Sequence, residues 1–205
     1  MQTPRVIVIG GAPGAGKSTL GHVLAARLNY ASLSMDDLYL AAKAVTSPLS
    51  HPAIHCMRQV PSYEYFTNTP PQQLVADALS QHSALWPAIE AVIHAHATAG
   101  PPVVLDGWFV TPKDILALNL PSVMAVWLVI TEDALLARER KSAAFFGASN
   151  DPERMLTNFM SRSLWHDHRI RQQAHELAVP LLLQDGTLSP EALCDHALST
   201  LEQST

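Results

Sequence analysis

The chain predicts an α/β fold of three layers, with a five-stranded parallel sheet between two layers of helices. Three observations carry this expectation. Five short apolar segments alternate with helix-compatible segments along the 205 residues. The first and fourth of them, VIVI and VMAVWLVI, are apolar without alternation, as strands buried on both faces are. The apolar fraction is 48% and the charged fraction 15%, which excludes wholesale disorder and supplies a sizeable core.

The elements follow in order. Residues 5–9 (RVIVI) read as a strand ending at glycines. Residues 18–28 read as a helix, 31–35 as a weaker strand, and 36–44 as a helical turn or short helix. Residues 46–71 hold five prolines, two histidines and the aromatics Tyr63, Tyr65 and Phe66, with little periodicity. They predict an ordered loop or cap. Residues 70–98 predict a helix with a break near Trp86-Pro87, where proline removes an amide donor. PVVLD at 102–106 is a third strand. Thr111-Pro112-Lys113-Asp114 has a capping residue followed by proline and starts a short helix. Residues 123–130 form a fourth strand, apolar throughout and therefore central. Thr131-Glu132-Asp133 caps the next helix, with two acids in its first turn. Residues 145–150 are a small loop. Asp151-Pro152-Glu153 opens a long helix to about residue 178, 180–184 is the fifth strand, and Ser189-Pro190-Glu191 starts the last helix. Parallel strands imply right-handed crossovers. One domain over 1–205, without internal repeats, is expected.

Charge and composition narrow the function classes. Thirteen Lys and Arg against eighteen Asp and Glu give a net charge of −5, which speaks against a general polyanion binder. Two cysteines, Cys56 and Cys194, make neither a disulfide framework nor a four-cysteine zinc site. The longest apolar run, 123–130, is too short to cross a bilayer. Glycine and proline interrupt the apolar N-terminal run early, so it reads as no signal peptide, and a cytoplasmic protein is expected.

The strongest local signal is Gly11-Ala12-Pro13-Gly14-Ala15-Gly16-Lys17-Ser18, followed by Thr19. It matches G-x-x-x-x-G-K-[ST] in full, with a strand before it and a helix after it. Glycines let successive amide N–H groups turn inward to form an anion cradle, and the helix adds its positive end. Lys17 can reach the β- and γ-phosphates of a nucleotide, and the Ser18 hydroxyl can ligate Mg²⁺. A bare glycine turn would need neither the lysine nor the serine. None of the four lysines follows an asparagine, so the N-K-x-D of GTPases is missing. Asp106 is followed by Gly107-Trp108 rather than by the glutamate that mechanical ATPases place there.

Ligands of doubly wound sheets lie beyond the carboxyl ends of the strands. The second strand ends in Leu33-Ser34-Met35-Asp36-Asp37-Leu38-Tyr39. A carboxylate at Asp36 there can accept a hydroxyl proton as that oxygen attacks phosphorus. Alternatively, Asp36 or Asp37 caps the following short helix.

The order of phosphate loop and then S-x-D-x-x-Y resembles the P-loop small-molecule kinases. LSMDDLY is similar to the strand-two segment of uridine kinases and nicotinamide riboside kinases, in which the aspartate matching Asp36 acts as base. VVLDGWFVTP resembles the acid-Gly segment of 2-phosphoglycerate-kinase-like proteins. The resemblance covers 5–40 and 102–141 and is weak over 43–100. It implies a P-loop NTPase fold, ATP and Mg²⁺, and a small molecule carrying a hydroxyl as acceptor. It also implies that Asp106 holds Mg²⁺ through water or contacts substrate; a turn-forming Asp-Gly is the alternative. Trp108 and Phe109 either stack on a substrate ring or close the core, and the core is the preferred role.

Seven of the thirteen basic residues lie within 138–171, where they exceed the acids by 7 − 4 = 3. Small kinases carry a lid whose arginines close over the γ-phosphate, and Arg138-Glu139-Arg140-Lys141 with Phe145-Phe146-Gly147 resembles one, so 138–154 is the expected lid and Arg138 its catalytic arginine. The alternative is a solvated helix with ion pairs. Arg162, near Trp165 and Arg169, either holds an anionic substrate group or snorkels. Residues 43–100 are the expected substrate-side cap, in which Arg58 and Tyr65 either contact the acceptor or fill core or surface; Asp37 is a further candidate for substrate binding. His94/His96 and His166/His168 look like metal pairs, but i, i+2 spacing on a helix turns the rings apart. Two other functions stay open: a kinase of nucleic-acid ends or tRNA, which the acidic chain disfavours, and a non-catalytic ATP-binding or ATPase switch for a protein partner.

Overall fold

A computed structural model describes residues 4–57 and 60–203. The parallel strands are β1 (Val6–Gly11), β2 (Ala31–Ser34), β3 (Val103–Asp106), β4 (Val123–Ile130) and β5 (Leu181–Gln184). They form one sheet in the order β2-β3-β1-β4-β5. The helices are α1 (Lys17–Leu28), α2 (Met35–Val45), α3 (Ser62–Asn68), α4 (Pro71–Thr98), α5 (Pro112–Ala117), α6 (Glu132–Lys141), α7 (Ala143–Phe146), α8 (Pro152–Leu177) and α9 (Pro190–Gln203).

The two-residue period of β1 shows why both faces are covered. Ile7 and Ile9 pack with Leu20 and Leu24 of α1 and with Leu193, Ala197 and Leu201 of α9. Val6 and Val8 pack on the opposite face with Leu85, Ile89 and Ile93 of α4. β1, not β4, is the central strand. β4 lies beside it, and its first residues are half-exposed because β5 pairs only from Trp127 onward.

Three further expectations change. α4 runs unbroken through Pro87 for 28 residues. Pro87 and Ser83, whose carbonyl would have taken the missing bond, are both exposed, while Leu85, Ile89 and Ile93 anchor the buried face. The segment 46–71 contains a helix, α3. Its last carbonyls are satisfied from α8, where Asn158 Nδ2 donates to Phe66 O at 2.8 Å. Residues 145–150 are less open than a plain loop, because α7 places Phe146 in the core against Phe145 and Phe159. No helix among the described residues is long and apolar enough to cross a membrane.

The register sets out the site. Asp106 stands level with Ile9, and Ser34 level with Asp106, so three strand ends converge beside the loop after β1.

Candidate active site

The chain leaves β1 into a loop whose left-handed backbone at Gly14 (φ 80°) and Gly16 favours glycine at both points. Gly16 has φ 94°, and a Cβ there would lie 3.0 Å from Arg138 Nη1. One turn further on, a Cβ at Gly21 would lie 3.2 Å from Asp106 Oδ1, so the bare glycine lets α1 close on β3.

The polar groups of this wall are tied to the protein. Lys17 Nζ donates to Ala12 O at 2.8 Å, Ser18 Oγ to Asp106 Oδ2 at 2.6 Å, and Arg138 Nη1 to Gly14 O at 3.0 Å. Burial lowers the Lys17 ammonium to a pKa of about 8, against the attraction of Asp36 and Asp106. Burial likewise lowers Arg138.

Asp36 is the second residue of α2. Ser34 caps that helix, its Oγ accepting from Asp36 N–H at 3.2 Å, so neither aspartate is the cap. Asp36 is open to solvent through the mouth of a cavity of about 630 Å³, which it lines together with Lys17, Ser18, Trp108, Arg138 and Arg162. Protein packed around its other sides raises its carboxyl, Lys17 lowers it, Asp106 raises it, and a hydrogen bond from Trp108 lowers it.

Arg162 enters from α8. Its guanidinium carbon lies 4.7, 5.1 and 5.6 Å from the ring centres of Phe66, Trp108 and Phe159. Burial lowers its pKa to about 10. The cavity is also lined by Gln184 at the end of β5, Leu188 of the following connection, and Pro190 and Leu193 of α9.

Sequence-predicted residues therefore separate. The loop from Gly11 to Thr19, Asp36, Asp106, Arg138 and Arg162 converge. Asp37 is exposed and does not line the cavity. Arg140 and Lys141 are exposed and do not line it either, so α6 brings charge to the loop through Arg138 and through the Glu139 carboxylate beside Gly14. Arg58 lies outside the described residues. Trp108 does both things the sequence leaves open, packing against the core cluster that holds Phe109 while lining the cavity. His166, dismissed as half of a metal pair, is 2% exposed, and its ring meets Trp108 edge-on at 5.9 Å. Gln184 was missed although it ends a strand, the signal that found Asp36 and Asp106.

A family model described as an AAA domain matches residues 6–144. The chain is 30% identical over 139 residues to a 2-phosphoglycerate kinase of Pyrococcus horikoshii, a match covering 67% of this chain and 46% of that protein. The chain thus spans about half the length of the curated relative it matches. Among solved structures, a sugar kinase of Janibacter sp. superposes with a TM-score of 0.61 at 19% identity, over 98% of this chain and 95% of that one. A gluconokinase of Sinorhizobium meliloti gives 0.58 at 19%, over 100% and 95%. At such identity these two likenesses establish a shared P-loop fold. With the family match running from β1 past Arg138, the chain belongs to the AAA domain family of P-loop proteins.

Proposed function

We propose that the chain is an ATP-dependent phosphotransferase that moves the γ-phosphoryl group to a hydroxyl of a small molecule. The observation that carries this is one cavity holding both Lys17 at the phosphate loop and the uncapped carboxylate of Asp36. The 2-phosphoglycerate kinase relative adds support, since it names phosphoryl transfer to a small molecule.

The loop amides and Lys17 hold the triphosphate. Asp36 accepts the proton of the acceptor hydroxyl as that oxygen bonds to the γ-phosphorus and the bond to the β-phosphate oxygen breaks, releasing ADP. Arg138, at the mouth of the loop, meets the charge that develops in transfer. Ser18 Oγ and Asp106 Oδ2, 2.6 Å apart, are hard oxygen donors of the kind that suit Mg²⁺. When bound there, the cation neutralises phosphate charge. Asp106 and Arg162 are assigned to the acceptor side. Residues 43–100 act as its cap and 138–154 as the lid within one domain, 1–205.

The test is a metabolite pool incubated with ATP and Mg²⁺, with mass-spectrometric detection of a gained phosphoryl group. Asp36→Asn should lower acceptor-dependent turnover by about 10²- to 10⁴-fold with nucleotide affinity kept. A switch that only hydrolyses ATP slowly would show hydrolysis indifferent to that substitution, and this outcome would remove the kinase assignment.

A further inference from the structure

Buried side-chain nitrogen and oxygen atoms without a hydrogen-bond partner number three among the described residues: Arg162 Nε, Ser163 Oγ and His166 Nε2. All three belong to little more than one turn of α8, and spacings of three and four residues put 163 and 162 beside 166 on one face. Each such atom costs about 1–3 kcal/mol relative to a satisfied one, and native proteins carry few. Of the three residues only Arg162 lines the cavity, so its free Nε is the one placed to meet a polar atom from outside the chain.

Arg162 adds charge. The three aromatic faces around it attract a cation but offer no hydrogen-bond acceptor in the plane of the guanidinium. The ion pairs among the described residues, Arg27–Asp195, His82–Asp114, Lys113–Glu176 and Arg171–Asp167, leave it without a carboxylate. Asp36, the acid whose field reaches it, faces the same cavity.

The charge count limits what fits. Lys17 and Arg138 stand on the phosphate-loop side, bonded to Ala12 and Gly14. His166 is kept neutral by burial and by the cations Lys17, Arg169 and Arg162, with His82 on the same side. From α8 the cavity therefore receives a single planar positive fork, that of Arg162. That suits a planar monoanion, because a carboxylate takes the guanidinium edge in matched geometry. A dianionic phosphate ester would leave one charge unmatched.

We propose that Arg162 is the anchor of a carboxylate subsite in this cavity, and that the acceptor is a small hydroxy acid with its carboxylate on Arg162 and its hydroxyl at Asp36. The identity of the acceptor rests on the phosphotransferase assignment; the subsite itself does not.

The experiment follows the Arg162 Nε–H resonance of the full chain saturated with Mg²⁺ and a non-hydrolysable ATP analogue, which fills the phosphate loop. The probes are glycolate and D-glycerate, their neutral counterparts ethylene glycol and glycerol, and the phosphate dianion glycerol 2-phosphate, which has no carboxylate. The acids should shift the resonance saturably and bind about tenfold or more tightly than the neutral alcohols. Arg162→Met should abolish this binding and Arg162→Lys should keep part of it. The wild-type titration stands without any variant. Equal shifts from the neutral compounds, no shift from either acid, or tighter binding of glycerol 2-phosphate than of glycerate overturns the carboxylate subsite. Acid binding at Arg162 without phosphoryl transfer keeps the subsite and defeats the kinase. Phosphorylation of neutral alcohols alone does the reverse.

Discussion

The two walls of the cavity are built differently. On the phosphate-loop wall, Lys17, Ser18 and Arg138 each donate to a protein oxygen within 3.0 Å. On the α8 side, Arg162 lines the cavity with its Nε unpartnered, and Ser163 and His166 of the same helix each keep a buried polar atom that meets none. The first wall holds its shape by itself and is preorganised for a ligand of fixed geometry. The second holds an unpaired Arg162, around which Phe66, Trp108 and Phe159 pack.

Paired serine substitutions break this comparison most directly. Ser18→Ala leaves Asp106 Oδ2 unpartnered in a residue 2% exposed, and should destabilise the ligand-free protein by about 1–3 kcal/mol in Mg²⁺-free buffer. Ser163→Ala removes a hydroxyl that has no partner, and should be neutral or stabilise by up to about 1 kcal/mol. Urea denaturation of both variants measures the signs. Shifts in the same direction would mean that the walls do not differ in the way described.

Gly16→Ala sharpens the account of the first wall. An L side chain at φ 94° costs about 1–2 kcal/mol, and its Cβ would crowd Arg138 Nη1. Nucleotide affinity should fall by about tenfold, the equivalent of 1.4 kcal/mol, with the acceptor wall unaffected. Calorimetric titration with ATP and the Arg162 resonance report the two walls separately.

The same contrast decides what could be read from the sequence. The phosphate-loop wall is one run of eight residues, GAPGAGKS, joined by two acids at strand ends, so its chemistry is local. The α8 wall draws Phe66, Trp108, Phe159 and Arg162 from three distant segments, and no spacing rule connects them. α3 was read as a loop for a related reason. Its carbonyls are satisfied by Asn158, about ninety residues away, rather than by a local signal. The break expected at Pro87 failed because the lost bond faces water, where it costs little. Arg162 was singled out from charge clustering alone; the sequence could not say that it would be buried among aromatics without an acid.

The smallest effect tests the exception within the first wall. Lys17 is hydrogen-bonded, yet burial holds its pKa at about 8 in the ligand-free fold, against 10.5 as the ordinary value. A bound triphosphate favours the charged ammonium, so nucleotide binding should take up a fraction of a proton above pH 8 and none well below it. Calorimetry in two buffers of different ionisation enthalpy reads this uptake, and Lys17→Met should remove it. Affinity should accordingly weaken as pH rises past 8. Stability should move the other way. Between pH 8 and 10.5 the unfolded chain retains a proton that folded Lys17 has released, so the ligand-free protein gains stability with rising pH. The gain is the difference between wild type and Lys17→Met across that window, which isolates Lys17 from the tyrosines titrating nearby. A residue that loses affinity while the fold gains stability is strained toward its ligand, and equal pH slopes for the two proteins would show that Lys17 carries no such strain.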